Sequence, residues 1–308
     1  MNNEIDFEQI FYRYNPWWEG RFELSNVINR ESILNKLKES LPSSKIIMLT
    51  GLRRIGKTTL MKCMIKHLLD INIDPKYIFY ISLDDYLLSN QNLLEIIDNY
   101  RAFKKIAFDE KIYLFLDEIA NQKDFEIQLK NIYDQGHAKV YASSSSASIL
   151  KNKKAFLTGR NTVIEVLPLD FEEYLIFKKI DIKKSNSNLL KTYFEDFIQK
   201  GGIPEYVLTD DIEYLKELVD DIIQKDIANF YGVKDTHLLK DFFLLLMERS
   251  GKIMSINKIA KILDISPDSA KRYLEMFKNT YLIYVVQRTG KTNERLLSAK
   301  KVYASDLG

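Results

Sequence analysis

The sequence predicts an α/β fold, a parallel sheet flanked by helices, followed by a helical lid and a winged helix. Three observations predict it. The apolar run at residues 45–50 ends in Gly51-Leu52-Arg53-Arg54-Ile55-Gly56-Lys57-Thr58 and leads into helical periodicity over 59–69. The run 112–116 is unbroken and closes on Asp117 and Glu118, as expected of a strand buried on both faces of a parallel sheet. Farther along, residues 255–263, 264–267 and 268–278 read as helix, tight turn and helix, with an apolar strand at 281–287.

The glycine-bearing stretch is a complete Walker A motif in its proper context, strand before and helix after. Glycines let the backbone wrap closely round phosphates, so that main-chain N–H groups and the helix N-terminus point at negative charge. Gly51, Arg53, Arg54, Ile55, Gly56, Lys57, Thr58 and Thr59 are therefore the expected nucleotide contacts, with Lys57 reaching the outer phosphates and Thr58 ligating Mg²⁺. Arg53 and Arg54 have two readings, contact with phosphate or a partner, and a solvated basic loop.

Asp117 and Glu118 read as a Walker B pair. Asp117 is expected to hold Mg²⁺, directly or through water, and Glu118 to orient and deprotonate the attacking water. A small-molecule kinase has no need of the second carboxylate, so the pair favours hydrolysis. The sequence has no Asn-Lys-x-Asp guanine-reading motif, so ATP is expected rather than GTP. Between the two motifs, the strand at 77–83 ends in Asp84-Asp85, which either face the metal site or are solvated charges at a strand end. Helical spacing at 124–135 and a strand at 139–142 follow, running into Ser143-Ser144-Ser145-Ser146 beside the Walker B strand.

In the second half, Pro168 stops the strand 163–166, and Asp170 with Glu173 makes a capping-box-like start for a helix through Phe177. Helical periodicity returns at 189–199, breaks at Gly201-Gly202, and resumes at 212–230 and 238–247. Ser266 and Pro267 are N-cap and N1 of the second helix in the helix–turn–helix. That helix turns Ala270, Leu274 and Phe277 inward and Lys271, Arg272, Glu275 and Lys278 outward. Such a helix either enters a DNA groove or serves as a packing module.

The 308 residues suggest two or three domains. No apolar run approaches the roughly 20 residues needed to cross a bilayer, and no signal peptide is read, so a cytoplasmic protein without membrane contact is expected. Cys63 is the single cysteine, so no internal disulfide can form, and the three histidines lack metal-ligand spacing. Residues 232–308 carry 14 Lys and Arg against 8 Asp and Glu, a net of +6, which leaves −4 for the rest of the +2 chain. A basic C-terminal part points to a polyanion such as DNA, although lysine-rich composition also follows from biased genomes.

Taken together, the motifs resemble the AAA_14 type of archaeal and bacterial AAA+ ATPases. The resemblance rests on Asn15-Pro16-Trp17-Trp18, the arginine-bearing Walker A, the strand to Asp117-Glu118, and Leu157-Thr158-Gly159-Arg160. It rests also on residues 167–175 from Leu167-Pro168-Leu169, on Gly201-Gly202-Ile203-Pro204-Glu205, and on residues 301–308. It implies an N-terminal arm (1–19), an AAA+ core (20–178), a helical lid (179–250) and a winged helix (251–290). Residues 291–308 would then open a restriction-endonuclease-like domain cut short at Gly308, with Asp306 contributing to a site in a longer version. The resemblance also implies a sensor residue in 143–146, where the family's Thr-Gly-Ser-Ser is replaced by four serines. Arg160 is expected to reach the γ-phosphate, within the chain or from a neighbouring subunit of a homo-oligomer, or else to be a surface arginine capping carbonyls or binding a carboxylate. Trp17 and Trp18 either close over the adenine or anchor the arm in an apolar groove.

Overall fold

A computed structural model of the chain describes residues 6–25, 27–88, 91–146, 157–181, 187–287, 289 and 300–306. They form two compact units. The first comprises the described residues within Met1–Thr50, Gly56–Ser144 and Ile149–Val166, and the second those within Gly51–Ile55, Ser145–Ser148 and Leu167–Gly308.

The first unit is built on five parallel strands, β1 (Ile46–Thr50), β2 (Ile78–Ser82), β3 (Ile112–Asp117), β4 (Ala138–Ser144) and β5 (Asn161–Glu165). Their order across the sheet is β2-β3-β4-β1-β5. Every residue of β1 is buried, because helices cover both faces of its sheet. These helices are α1 (Phe7–Tyr14), α2 (Glu31–Glu39), α3 (Lys57–Asp70), α4 (Leu93–Lys104) and α5 (Phe125–Gln135). The expected strands and helices of this half are therefore present, in a parallel α/β arrangement.

An edge strand exposes unpaired peptide groups, and β2 has its edge covered by side chains. The buried Asn15 donates from Nδ2 to the Tyr80 carbonyl (2.9 Å) and accepts the Tyr80 N–H at Oδ1 (2.7 Å). Trp17 and Trp18 both donate their indole N–H to the Ile78 carbonyl, at 3.1 and 3.0 Å. The Asn-Pro-Trp-Trp segment thus satisfies the outward peptide groups of β2 two residues apart, the strand period.

The second unit contains α6 (Phe171–Phe177), α7 (Ser187–Lys200), α8 (Pro204–Thr209), α9 (Ile212–Asp221) and α10 (Thr236–Met247). The capping box at Asp170 and Glu173 is formed in both directions. What periodicity predicts as one helix over 212–230 is α9 followed by π-helical Ile222–Asn229. The helix–turn–helix comprises α11 (Ile256–Ile262) and α12 (Pro267–Asn279), with Ser266 accepting the Ser269 N–H as N-cap. Beside it, β6 (Ile253–Met254), β7 (Ile283–Val286) and β8 (Lys300–Ala304) form an antiparallel sheet with β8 in the middle. The described part of the 291–308 segment is thus joined to this sheet and begins no separate element beyond it. Residues 290–299, Leu307 and Gly308 lie outside the described residues.

Three of the recurrent motifs meet at Gly202. Leu169 donates its N–H to the Gly202 carbonyl (2.8 Å), and Gly202 donates its own to Asp306 Oδ1 (2.7 Å). A Cβ on Gly202 would lie 2.3 Å from the Leu169 carbonyl oxygen, a backbone clash that no rotamer relieves. Gly202→Ala is expected to destabilise the chain by about 3 kcal/mol through overpacking. Gly201→Ala, at a position with φ +74°, should cost roughly 1–2 kcal/mol. Urea unfolding followed by circular dichroism checks both values and their order.

Candidate nucleotide site

The chain after β1 turns through Gly51 (φ 142°), Arg54 (φ 59°) and Gly56 (φ 99°) before α3 begins at Lys57. Arg54 accepts a left-handed conformation that glycine adopts without cost. The first turn of α3 has no acidic residue, so its N-terminal N–H groups keep their full attraction for an anion. Lys57 is buried at this turn, Thr58 half-buried and Thr59 exposed.

Thr58 and Asp117 meet. The Thr58 hydroxyl donates to Asp117 Oδ2 at 2.6 Å, and Tyr80 donates to the same oxygen at 2.8 Å. Ser143 donates to Asp117 Oδ1, and its Oγ in turn accepts the Glu118 N–H at 2.9 Å. Parallel register accounts for this convergence: Ser82 pairs with Asp117 and Thr50 with Ser144, so the strands end together. Ser143, in the serine run, thus touches both residues of the Walker B pair. Glu118 follows β3 with φ 51°, a conformation rare for a side-chain-bearing residue and typical of functional turns.

Tyr80 is a contact that sequence reasoning misses. Burial, then the adjacent Asp117 carboxylate, pushes its phenol well above the ordinary tyrosine range, so it is a permanent hydrogen-bond donor. The available signal is chemical: a tyrosine inside an apolar strand needs a partner for its hydroxyl.

A divalent metal fits the donor set. Thr58 and Asp117 offer hard oxygen atoms side by side, as Mg²⁺ requires. No cluster of three or more acidic, histidine or cysteine ligands occurs among the described residues.

Other candidates are placed elsewhere. Asn161 pairs with Ile46 at the start of β1, so Arg160 lies at the opposite edge of the sheet, about 16 Å of strand from the Walker A turn. Its Nε donates to Asp134 at 3.0 Å, the carboxylate-bound alternative. The structure therefore does not bring Arg160 to the phosphate end of its own chain. Trp17 and Trp18 sit at Ile78, the start of β2, and anchor the arm there. Asp85 accepts from Arg13 and from Tyr14 (2.9 Å), while Asp84 accepts from Ser82; these contacts draw neither carboxylate to Asp117.

Within the second unit, Arg53 grips Asp226 with two bonds, Nε at 2.9 Å and Nη2 at 2.6 Å. Arg54 donates to Asp221 at 3.0 Å and lies over the Tyr214 ring. Both P-loop arginines thus engage carboxylates at the junction of α9 and the π-helical segment. No periodicity in the sequence points to these partners, which stand 173 and 167 residues away.

The parallel sheet, its strand order and the Walker A turn make a P-loop α/β fold. Residues 43–175 match the AAA_14 family model, described as an AAA domain. Residues 191–308 match DUF8612, a domain of unknown function, where a nuclease-like opening was expected at 291–308. The chain is 32% identical to the uncharacterized protein MJ1544 of Methanocaldococcus jannaschii, over 92% of this chain and 64% of that one. It is 29% identical to an uncharacterized protein of Haemophilus influenzae, over 84% and 66%. The chain therefore spans just under two thirds of the length of these curated relatives. Among solved structures it is similar to the Walker-type ATPase PABY2304 of Pyrococcus abyssi, with TM-score 0.56, 14% identity and coverage of 91% and 94%, a likeness of fold. No helix among the described residues is long and apolar enough to cross a membrane.

Proposed function

We propose that the chain binds Mg-ATP and hydrolyses it to ADP and phosphate, coupling turnover to remodelling on nucleic acid in the cytoplasm. The observation that carries hydrolysis is the convergence of Thr58, Asp117, Ser143 and Glu118 on one sheet edge. Lys57 and the N–H groups from Gly51 to Thr59 hold the phosphates, and Thr58 and Asp117 hold the metal. A Mg²⁺ ion held there would neutralise charge on the transferring phosphoryl group. Glu118 takes the proton from the attacking water, with its backbone fixed by Ser143. Arg160 acts on a neighbouring subunit's nucleotide in a homo-oligomer.

In this reading residues 20–178 are the ATPase core and 179–250 a lid. The helix–turn–helix with its sheet is a winged helix, extended by β8 past the boundary of 290. The basic C-terminal part is the DNA-facing side.

A second reading, a nucleotide-dependent switch with slow turnover, is favoured by the arginine pairs. Arg53 and Arg54 tie the P-loop crown to Asp226 and Asp221, so a change in the loop on phosphate binding is felt at the π-helical segment. Steady-state phosphate release from Mg-ATP, by the chain and by Lys57→Ala, distinguishes the two. Release stimulated severalfold by single-stranded or duplex DNA and lost in the variant supports remodelling. Slow release indifferent to DNA moves the conclusion to the switch, and equal release by both proteins sinks the ATPase assignment.

A further inference from the structure

We propose that the outer face of the β6-β8-β7 sheet binds single-stranded nucleic acid by stacking bases on Tyr284 and Tyr303, with Lys301 beside the phosphates. The register sets these residues together. Tyr284 lies directly opposite Tyr303, and in the next row Val286, Lys301 and Ile253 stand side by side across three strands. Directly opposite residues have Cβ atoms about 5 Å apart, and alternate residues of a strand are about 6.6 Å apart along it. The platform therefore presents two neighbouring rings with a cation one row away.

This face is turned outward. Tyr284 is 36% exposed, Tyr303 39% and Ile253 73%, whereas Met254, Ile283 and Val302 on the other face are buried. Gly251, beside Tyr303, donates its N–H to Val302 at 2.8 Å. A Cβ there would lie 3.5 Å from the Tyr303 ring, in ordinary contact with it.

Charge selects the partner. The outward face carries Lys301 and no acidic residue, Lys300 lying with Met254 on the other face, and the whole of 232–308 has a net charge of +6. On the exposed side of α12, by contrast, Lys271 and Lys278 are each paired with a carboxylate of their own helix, Asp268 and Glu275. A duplex needs a groove-filling element. Two part-exposed aromatic rings with a lysine one row away suit bases with free π-faces and a phosphate backbone. This site is separate from the outward helix of the helix–turn–helix, and it does not depend on nucleotide hydrolysis.

The test is fluorescence anisotropy of the full chain with fluorescein-labelled 20-nucleotide oligo-dT, oligo-U and a 20-base-pair duplex. Binding is expected to favour a single strand, the first two probes distinguishing DNA from RNA. The Tyr284→Ala/Tyr303→Ala pair should weaken it by at least about 20-fold. Tyr284→Phe/Tyr303→Phe keeps the rings and should bind as the parent does, which separates stacking from loss of fold. Lys271→Ala/Arg272→Ala should leave single-strand binding unchanged. The proposal is overturned if no single strand binds, if the alanine and phenylalanine pairs bind alike, or if duplex binds best and is lost in the α12 variant.

Discussion

Glu118→Gln is expected to lower phosphate release from Mg-ATP by about 100- to 10,000-fold, the contribution of a positioned general base, while ATP binds within a few-fold of the parent. The amide is isosteric with the carboxylate, so the left-handed turn at 118 and the N–H bond to Ser143 should survive. Lost turnover with retained binding, read by phosphate release and by anisotropy of a fluorescent ATP analogue, places Glu118 in the chemical step. Unchanged turnover removes it from the mechanism. Lost binding would mean that its role is to shape the pocket. Asp117 cannot serve for this test, because its two oxygens accept from Thr58, Tyr80 and Ser143 and its loss disturbs three partners at once.

Lys139→Met is expected to destabilise the chain by about 3 kcal/mol, since three carbonyl oxygens lose their donor. The Lys139 ammonium, 1% exposed within β4, donates to the carbonyls of Ser40, Ser43 and Lys45 at 2.7, 2.9 and 2.9 Å. It thereby fixes the turn between α2 and β1, the strand that leads into the Walker A motif. Burial, with Lys111 nearby, lowers its pKa to about 8. A lysine whose folded pKa lies below its unfolded value is penalised while both states are protonated, below about pH 8. As pH rises from 8 towards the ordinary lysine value, the folded state loses its proton first, and stability increases with pH. The parent should therefore gain about 1 kcal/mol over Lys139→Met between pH 7.5 and 9. Urea titrations of both proteins at the two pH values measure the cost and its slope. A variant as stable as the parent at both would show that the three carbonyls find other donors.

The strand, turn and helix of the Walker A segment and the strand that ends at Asp117 are legible in the sequence because their determinants are local. A buried strand, a turn needing glycines at Gly51 and Gly56 and a helix start without carboxylates are contiguous, and so is the apolar run that delivers Asp117 and Glu118. The Asp170 capping box and the Ser266-Pro267 helix start were legible for the same reason: each is closed within a few residues. Ser143 was narrowed to a run of four and no further, because which serine reaches Asp117 depends on the register of β4 between β3 and β1. Arg160 shows the converse. A recurrent arginine on a polar loop suits a phosphate contact, but strand direction alone fixes which end of β5 that loop occupies, and it is the end away from the Walker A turn. Trp17 and Trp18 were open between adenine and anchor until the free edge of β2 gave their indole N–H groups an acceptor. The partner of Tyr80, the Arg53–Asp226 pair and the joining of Leu169, Gly202 and Asp306 have no local signature. They are contacts between segments far apart in the chain, set by parallel pairing and by packing, and a one-dimensional pattern records a residue's own periodicity without recording what lies across from it.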